Sequence, residues 1–142
     1  MSLQTTLGLW ICRSVALIFG ILEIRGTLRH FHHDDWSPHA QFHSLTGLSF
    51  YLGLTLAFFF ITGKPFRNRE RWAWWALPLM GLFVHGAQIV IDTINGGLRL
   101  GGTSQGSGEL FFYLAITAFG LYGLGSFLAW GHFFKAKDPP SA

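Results

Sequence analysis

The sequence predicts an all-α fold, an integral-membrane four-helix bundle with both termini cytoplasmic, and three observations lead there. Half of the 142 residues are hydrophobic and 12% are charged, against about 25% charged in an ordinary soluble domain. The apolar residues are gathered into four long runs rather than scattered. The basic residues, which leave a formal net charge of +3, sit in the gaps between those runs and not in the contiguous patch that a nucleic-acid partner requires. A disordered chain, a disulfide scaffold and a soluble globule are excluded on the same grounds. The lone Cys12 has no partner for an internal bridge.

One domain is expected over 1–134, with spans at about 7–23, 39–62, 72–94 and 109–132 and a disordered tail over 135–142. Each span approaches the roughly 20 residues that cross a hydrocarbon core about 30 Å thick. The first, Leu7 to Leu22, is interrupted by Arg13, which lies close enough to the interface to snorkel. No small-x-small cleavage site follows it, so a retained helix is expected rather than a signal peptide. Ser37-Pro38 opens the second span as an N-cap and a proline at the first helical position. Pro78 lies inside the third, removes a backbone donor and predicts a kink a turn or two before His85. The fourth, Leu110 to Trp130, carries no charge, and its Gly120, Gly123 and Gly125 predict close helix contact.

Four spans put both termini and the Gly63–Arg71 loop on one side, with Lys64, Arg67, Arg69, Arg71, Lys135 and Lys137. Arg25, Arg29 and Arg99 fall on the other. The basic excess assigns the termini to the cytoplasm, in a bacterial inner membrane or an endoplasmic reticulum membrane. Trp10, Trp72, Trp74, Trp75 and Trp130 mark the inner boundary and Trp36 the outer one.

Depth sorts the polar residues. The outer half of the bundle receives Glu23 at the end of the first span, His39 and His43 at the start of the second, His85, Gln88, Asp92 and Asn95 on the third, and Glu109 before the fourth. His85, Gln88, Asp92 and Asn95 follow i, i+3, i+7, i+10, which is one helical face. His39 and His43 are one turn apart, with Thr46, Gly47 and Phe50 continuing inward; Glu109, Tyr113 and Thr117 form a similar stripe. Ionisable groups at membrane depth cost several kcal/mol unless they pair or line a cavity. An outer-half pocket is therefore expected. His85, Asp92, Glu109, His43 and Glu23 are the candidate catalytic groups in it, and His39, Gln88, Asn95, Phe50 and Tyr113 the candidate substrate contacts. Phe42, Tyr51, Phe83 and Phe112 complete its aromatic walls.

Each candidate has a plainer role beside it. His30, His32 and His33 suit interfacial hydrogen bonding, Glu23 and Glu109 suit helix ends, and Asp92 is shallow enough to be solvated. His39 and His43, a pair at i, i+4, chelate metal only with further ligands, which His85, Asp92 or Glu109 would supply; His39, His43 and His85 are the metal-ligand candidates. Asn95 to Gly108 is a glycine-rich outer loop without the lysine of a phosphate loop.

The segment Trp36-Ser-Pro-His-Ala-Gln-Phe-His43, preceded by an acid on the first span, resembles the W-P-P-H-A-R-F-H motif of small four-helix membrane proteins of fungi and bacteria whose function is not established. Ser37 stands in place of a proline and Gln41 in place of the arginine. The resemblance covers about residues 23–50 and implies a four-helix fold with His39 and His43 at the outer end of the second helix. In architecture alone the chain is also similar to emopamil-binding-type and styrene oxide isomerase-type membrane isomerases, from which no catalytic residue carries over.

The inventory points to a membrane-embedded enzyme that rearranges a lipophilic small molecule by acid–base chemistry, an isomerase, cyclase or epoxide-opening activity. That chemistry requires no cofactor. The alternatives are a haem- or metal-binding protein with His43 and His85 as ligands, and a non-catalytic subunit or lipid binder. The expected partners are a lipophilic small molecule and membrane lipid, not nucleic acid, and a homo-oligomer is compatible with the sequence.

Overall fold

A computed structural model describes residues 1–31, 37–94 and 105–134, apart from the side chains of His30, Phe31, Asp92, residues 105–109 and Phe111. Among them, α1 spans Leu3–Phe31, α2 Pro38–Ile61, α3 Lys64–Arg67, α4 Arg71–Met80, α5 Ala87–Ile94 and α6 Gln105–Phe134, with a π turn over Gly81–Gly86 joining α4 to α5. Because α4, the π turn and α5 form one continuous rod, the described residues hold four long helices and the short α3. All four contain a stretch long and apolar enough to cross a membrane. At most a third of each apolar window is buried within the chain, so Leu17, Ile21, Leu56, Phe60 and Phe127 face outward. Such a surface is the pattern of a multi-pass membrane protein, since water does not tolerate so large an apolar area. The tail 135–142, His32, His33 and Asn95 lie outside the described residues.

Helix α1 runs on past Glu23 to Phe31, because Arg25, Thr27 and Leu28 offer no break beyond the single Gly26. Glu23 is thus a mid-helix residue. Helix α2 starts as expected: Ser37 has extended backbone, its Oγ accepts from the Ala40 N–H at 3.2 Å, and Pro38 follows. At the other end of α2, the Arg13 Nη2 donates to the Thr62 carbonyl at 2.6 Å and its Nε to Thr62 Oγ1 at 3.2 Å. Arg13 therefore ties α1 to the end of α2, with its guanidinium over the rings of Trp10 and Phe59. A cation there also complements the negative end of the helix.

In the third span the helix continues through Pro78, and the distortion falls one turn later. The Ala87 N–H bonds back to the Leu82 carbonyl, the five-residue reach that defines a π turn. Proline has no N–H for the Trp74 carbonyl, so this rod is already weakened where the turn begins.

Lipid is as apolar as leucine, so close packing rather than burial from water holds such helices together. A Cβ on Gly8 would lie 2.5 Å from the Gly125 carbonyl oxygen, and one on Gly81 would lie 2.7 Å from Tyr122 Cβ. Gly8 with Gly125 brings α1 against α6; Gly81 brings the π turn against α6. Gly120 and Gly123 meet nothing within 4 Å, so of the three glycines expected to allow contact on α6 only Gly125 does. Cys12, Ala16, Leu77, Ala118, Tyr122 and Ala129 fill the centre. Trp74 is also buried, donating from Nε1 to the Ser126 carbonyl at 3.0 Å, while Trp10, Trp72, Trp75 and Trp130 stay exposed.

Candidate functional site

The half of the bundle remote from the termini holds a cavity of about 280 Å³ between α1, α2, the third rod and α6. Glu23 and Thr27 reach it from α1, Ser44 and Tyr51 from α2, His85 from the π turn and Gln88 from α5. Tyr51, Thr27 and His85 are buried, whereas Glu23, Gln88 and Leu22 are exposed and so form its rim.

His85 is the deepest polar group. It is 3% exposed, and its Nε2 has no hydrogen-bond partner among the described residues. The ring is clamped from two sides: Phe19 meets it edge-on with centroids 4.4 Å apart, and Tyr122 stacks on it at 5.7 Å. The π turn is what delivers the residue there, since a wider turn shifts side chains relative to a regular α-helix. An imidazole held by apolar faces, with a nitrogen left unpaired, is costly unless something polar enters beside it.

Tyr51 donates from Oη to the Ala16 carbonyl at 3.5 Å, a long bond that fixes the ring loosely across the α1–α2 interface. Glu23 supplies a carboxyl group to the rim. The cavity thus places a carboxyl, an imidazole, a phenol and two hydroxyls around one small volume, with Phe19 and Val84 as apolar wall. That set can give a proton at one point and take one at another.

The other candidates lie elsewhere. His39 and His43 face each other with Nε2 atoms 3.1 Å apart and are exposed near the start of α2, outside the cavity lining. Phe50 is 71% exposed and Tyr113 59% exposed, both on the outer surface. Phe42 and Phe83 are exposed as well. The side chains of Asp92 and Glu109, like Asn95, fall outside what is described. So His85, Glu23 and Gln88 come together, and His39 and His43 form a separate pair. Among the described residues no three His, Cys, Asp or Glu side chains gather as a metal site would require.

Ser44, Thr27, Phe19 and Tyr122 were not among the expected site residues. Ser44, Tyr51 and Thr55 follow i, i+7, i+11, a small polar stripe along one face of α2. The chain matches no family model, no curated protein and no solved structure.

Proposed function

We propose that the chain is a membrane-embedded enzyme that rearranges a lipophilic small molecule in the cavity beside His85, by proton transfer involving His85 and Glu23. The observation that supports it is the unpartnered Nε2 of a nearly fully buried His85 at the wall of a cavity whose rim carries a carboxylate. A substrate is the partner that such a nitrogen lacks. The cavity's volume lies just under the roughly 300–1,000 Å³ of small-molecule pockets, room for the reacting end of a lipophile. Exposed Leu22 beside Glu23 on the rim offers an apolar approach from the bilayer.

In an isomerisation of this kind one carbon gains a proton and another loses one, so the composition of the substrate is unchanged. His85 and Glu23 take the two proton-handling roles, Tyr51 and Gln88 orient polar substituents, and the rings of Phe19 and Tyr51 shelter positive charge that develops on carbon. With the termini in the cytoplasm, as the basic loop residues favour, the cavity serves the outer leaflet of a bacterial inner membrane or the lumenal leaflet of the endoplasmic reticulum. The haem or metal alternative needs His43 and His85 to act together, yet His43 bonds to His39 while His85 packs between Phe19 and Tyr122.

The test is turnover of host lipid extract by membranes carrying the wild type, Glu23→Gln or His85→Gln, followed by chromatography that separates products of equal mass. A product made by the wild type and lost in both variants is expected. No product, or equal product from all three, would remove the enzyme reading.

A further inference from the structure

We propose that a second cavity, at the end of the bundle where the termini lie, binds the phosphate group of an anionic phospholipid between Arg13 and Arg67. This cavity measures about 300 Å³, its lining includes Leu9, Trp10, Arg13, Thr62, Gly63 and Arg67, and among the described residues no acidic side chain lines it. Two guanidiniums share one small space with no counter-charge among the described residues. Like charges at the edge of a low-dielectric region repel, and an anion seated between them turns that repulsion into attraction.

The geometry of Arg13 prepares it for this role. Its Nε and Nη2 are spent on Thr62, and the rings of Trp10 and Phe59 hold the guanidinium at 5.6 and 5.8 Å. The remaining N–H donors are thus fixed in direction at no further entropic cost. Arg67 approaches from the last turn of α3 and is exposed. A planar guanidinium matches phosphate oxygens two at a time, which a lysine does not.

Depth selects a lipid over a soluble phosphate. The cavity sits where the apolar stretches of α1 and α2 end, at the level of headgroups, and half-exposed Trp10 occupies the position of an interfacial anchor. Leu9 and Trp10 give it apolar walls that suit glycerol and acyl carbons. Basic pockets between helices on the cytoplasmic side recognise headgroups in this way. This site is independent of the cavity at His85.

The experiment uses the full chain, purified in neutral detergent, and counts retained phosphatidylglycerol, phosphatidylcholine or added inorganic phosphate by native mass spectrometry. Retention of phosphatidylglycerol over phosphatidylcholine is expected. Arg67→Gln should lower it by about tenfold or more, the effect of losing a charge-assisted bond, while Arg71→Gln, which removes the same charge outside the cavity, should leave it near wild type. Arg67→Lys should fall between, and it carries the comparison if the melting temperature of Arg67→Gln is lowered. Equal losses for Arg67→Gln and Arg71→Gln, or equal retention of both lipids, would overturn the site. Retention of inorganic phosphate that displaces phosphatidylglycerol would assign the arginines to a soluble phosphate and overturn the lipid.

Discussion

His85 stacks on Tyr122 with ring centroids 5.7 Å apart and planes inclined at 27°. The same tyrosine meets the other end of the π turn, where Gly81 leaves room for its Cβ. One residue of α6 therefore seats both the first and the fifth residue of the turn that carries the candidate catalytic imidazole. Position at the cavity wall is set by packing against a neighbouring helix as well as by the hydrogen bonds of its own.

Gly81→Ala should separate the third rod from α6. The added Cβ would lie 2.7 Å from Tyr122 Cβ, an atom that cannot move without its backbone, and overpacking of this kind costs about 1–3 kcal/mol. A lower melting temperature in detergent is expected, together with loss of turnover. Gly120→Ala, where nothing lies within 4 Å, should melt at or slightly above the wild type, and equal destabilisation by both would contradict the close contact.

Arg13→Gln should weaken the α1–α2 junction. It removes a charge-assisted donor from the Thr62 carbonyl and leaves that buried oxygen without its bond, a change worth about 1.5–3 kcal/mol. The melting temperature should fall, while Arg67→Gln, which loses no such bond, should hold. Wild-type melting for Arg13→Gln would show that lipid or water replaces the contact.

Turnover should follow distance from the cavity. His85→Gln and Glu23→Gln should each lose about 10²- to 10⁴-fold, the range for a general acid or base, with melting nearly unchanged. Tyr51→Phe should lose less, since its hydroxyl orients rather than transfers. His39→Ala and His43→Ala should stay near wild type, because each breaks an exposed pair outside the cavity lining. Full activity in His85→Gln with loss in His43→Ala would move the site to the start of α2.

Cysteine labelling fixes the orientation. Cys12 is fully buried, so the native background should be silent to an impermeant maleimide. Asn68→Cys should label only after the membrane is opened and Thr93→Cys on intact cells, both positions being exposed. The opposite pattern would place the His85 cavity on the cytoplasmic side.

The fold was legible because polarity changes abruptly along the chain, and the helix start at Ser37-Pro38 because capping is local chemistry. Glu23, His85 and Gln88 were legible as site residues through depth alone, as charged and amide groups within an apolar run are conspicuous. Which face of each helix turns inward was harder. On α2 the face continued from His43 to Phe50, whereas Ser44, Tyr51, Thr55 and Phe58 face the bundle, one residue further and so about 100° around the helix. On α6 the stripe through Tyr113 and Thr117 points outward, and Ala115, Ala118, Tyr122 and Ala129 point inward. Small residues, not polar ones, mark the inner face where lipid is the alternative contact. The π turn left no trace in the residue pattern, since a hydrogen bond displaced by one residue changes phase without changing composition.

That turn alters what a change of length means for this chain. Removing a residue from a membrane helix ordinarily swings everything beyond it by about 100° and exchanges its lipid face for its packed face. Between Gly81 and Gly86 the backbone already spends one residue more than a regular helix needs to join α4 to α5 in their present orientation. Loss of a lipid-facing residue there, such as Phe83, would straighten the rod while both flanks keep their faces. In the other three spans a one-residue indel scrambles the interface. In this one a deletion is a switch between two helical pitches, and relatives one residue shorter at this point would share the bundle without sharing the setting of His85.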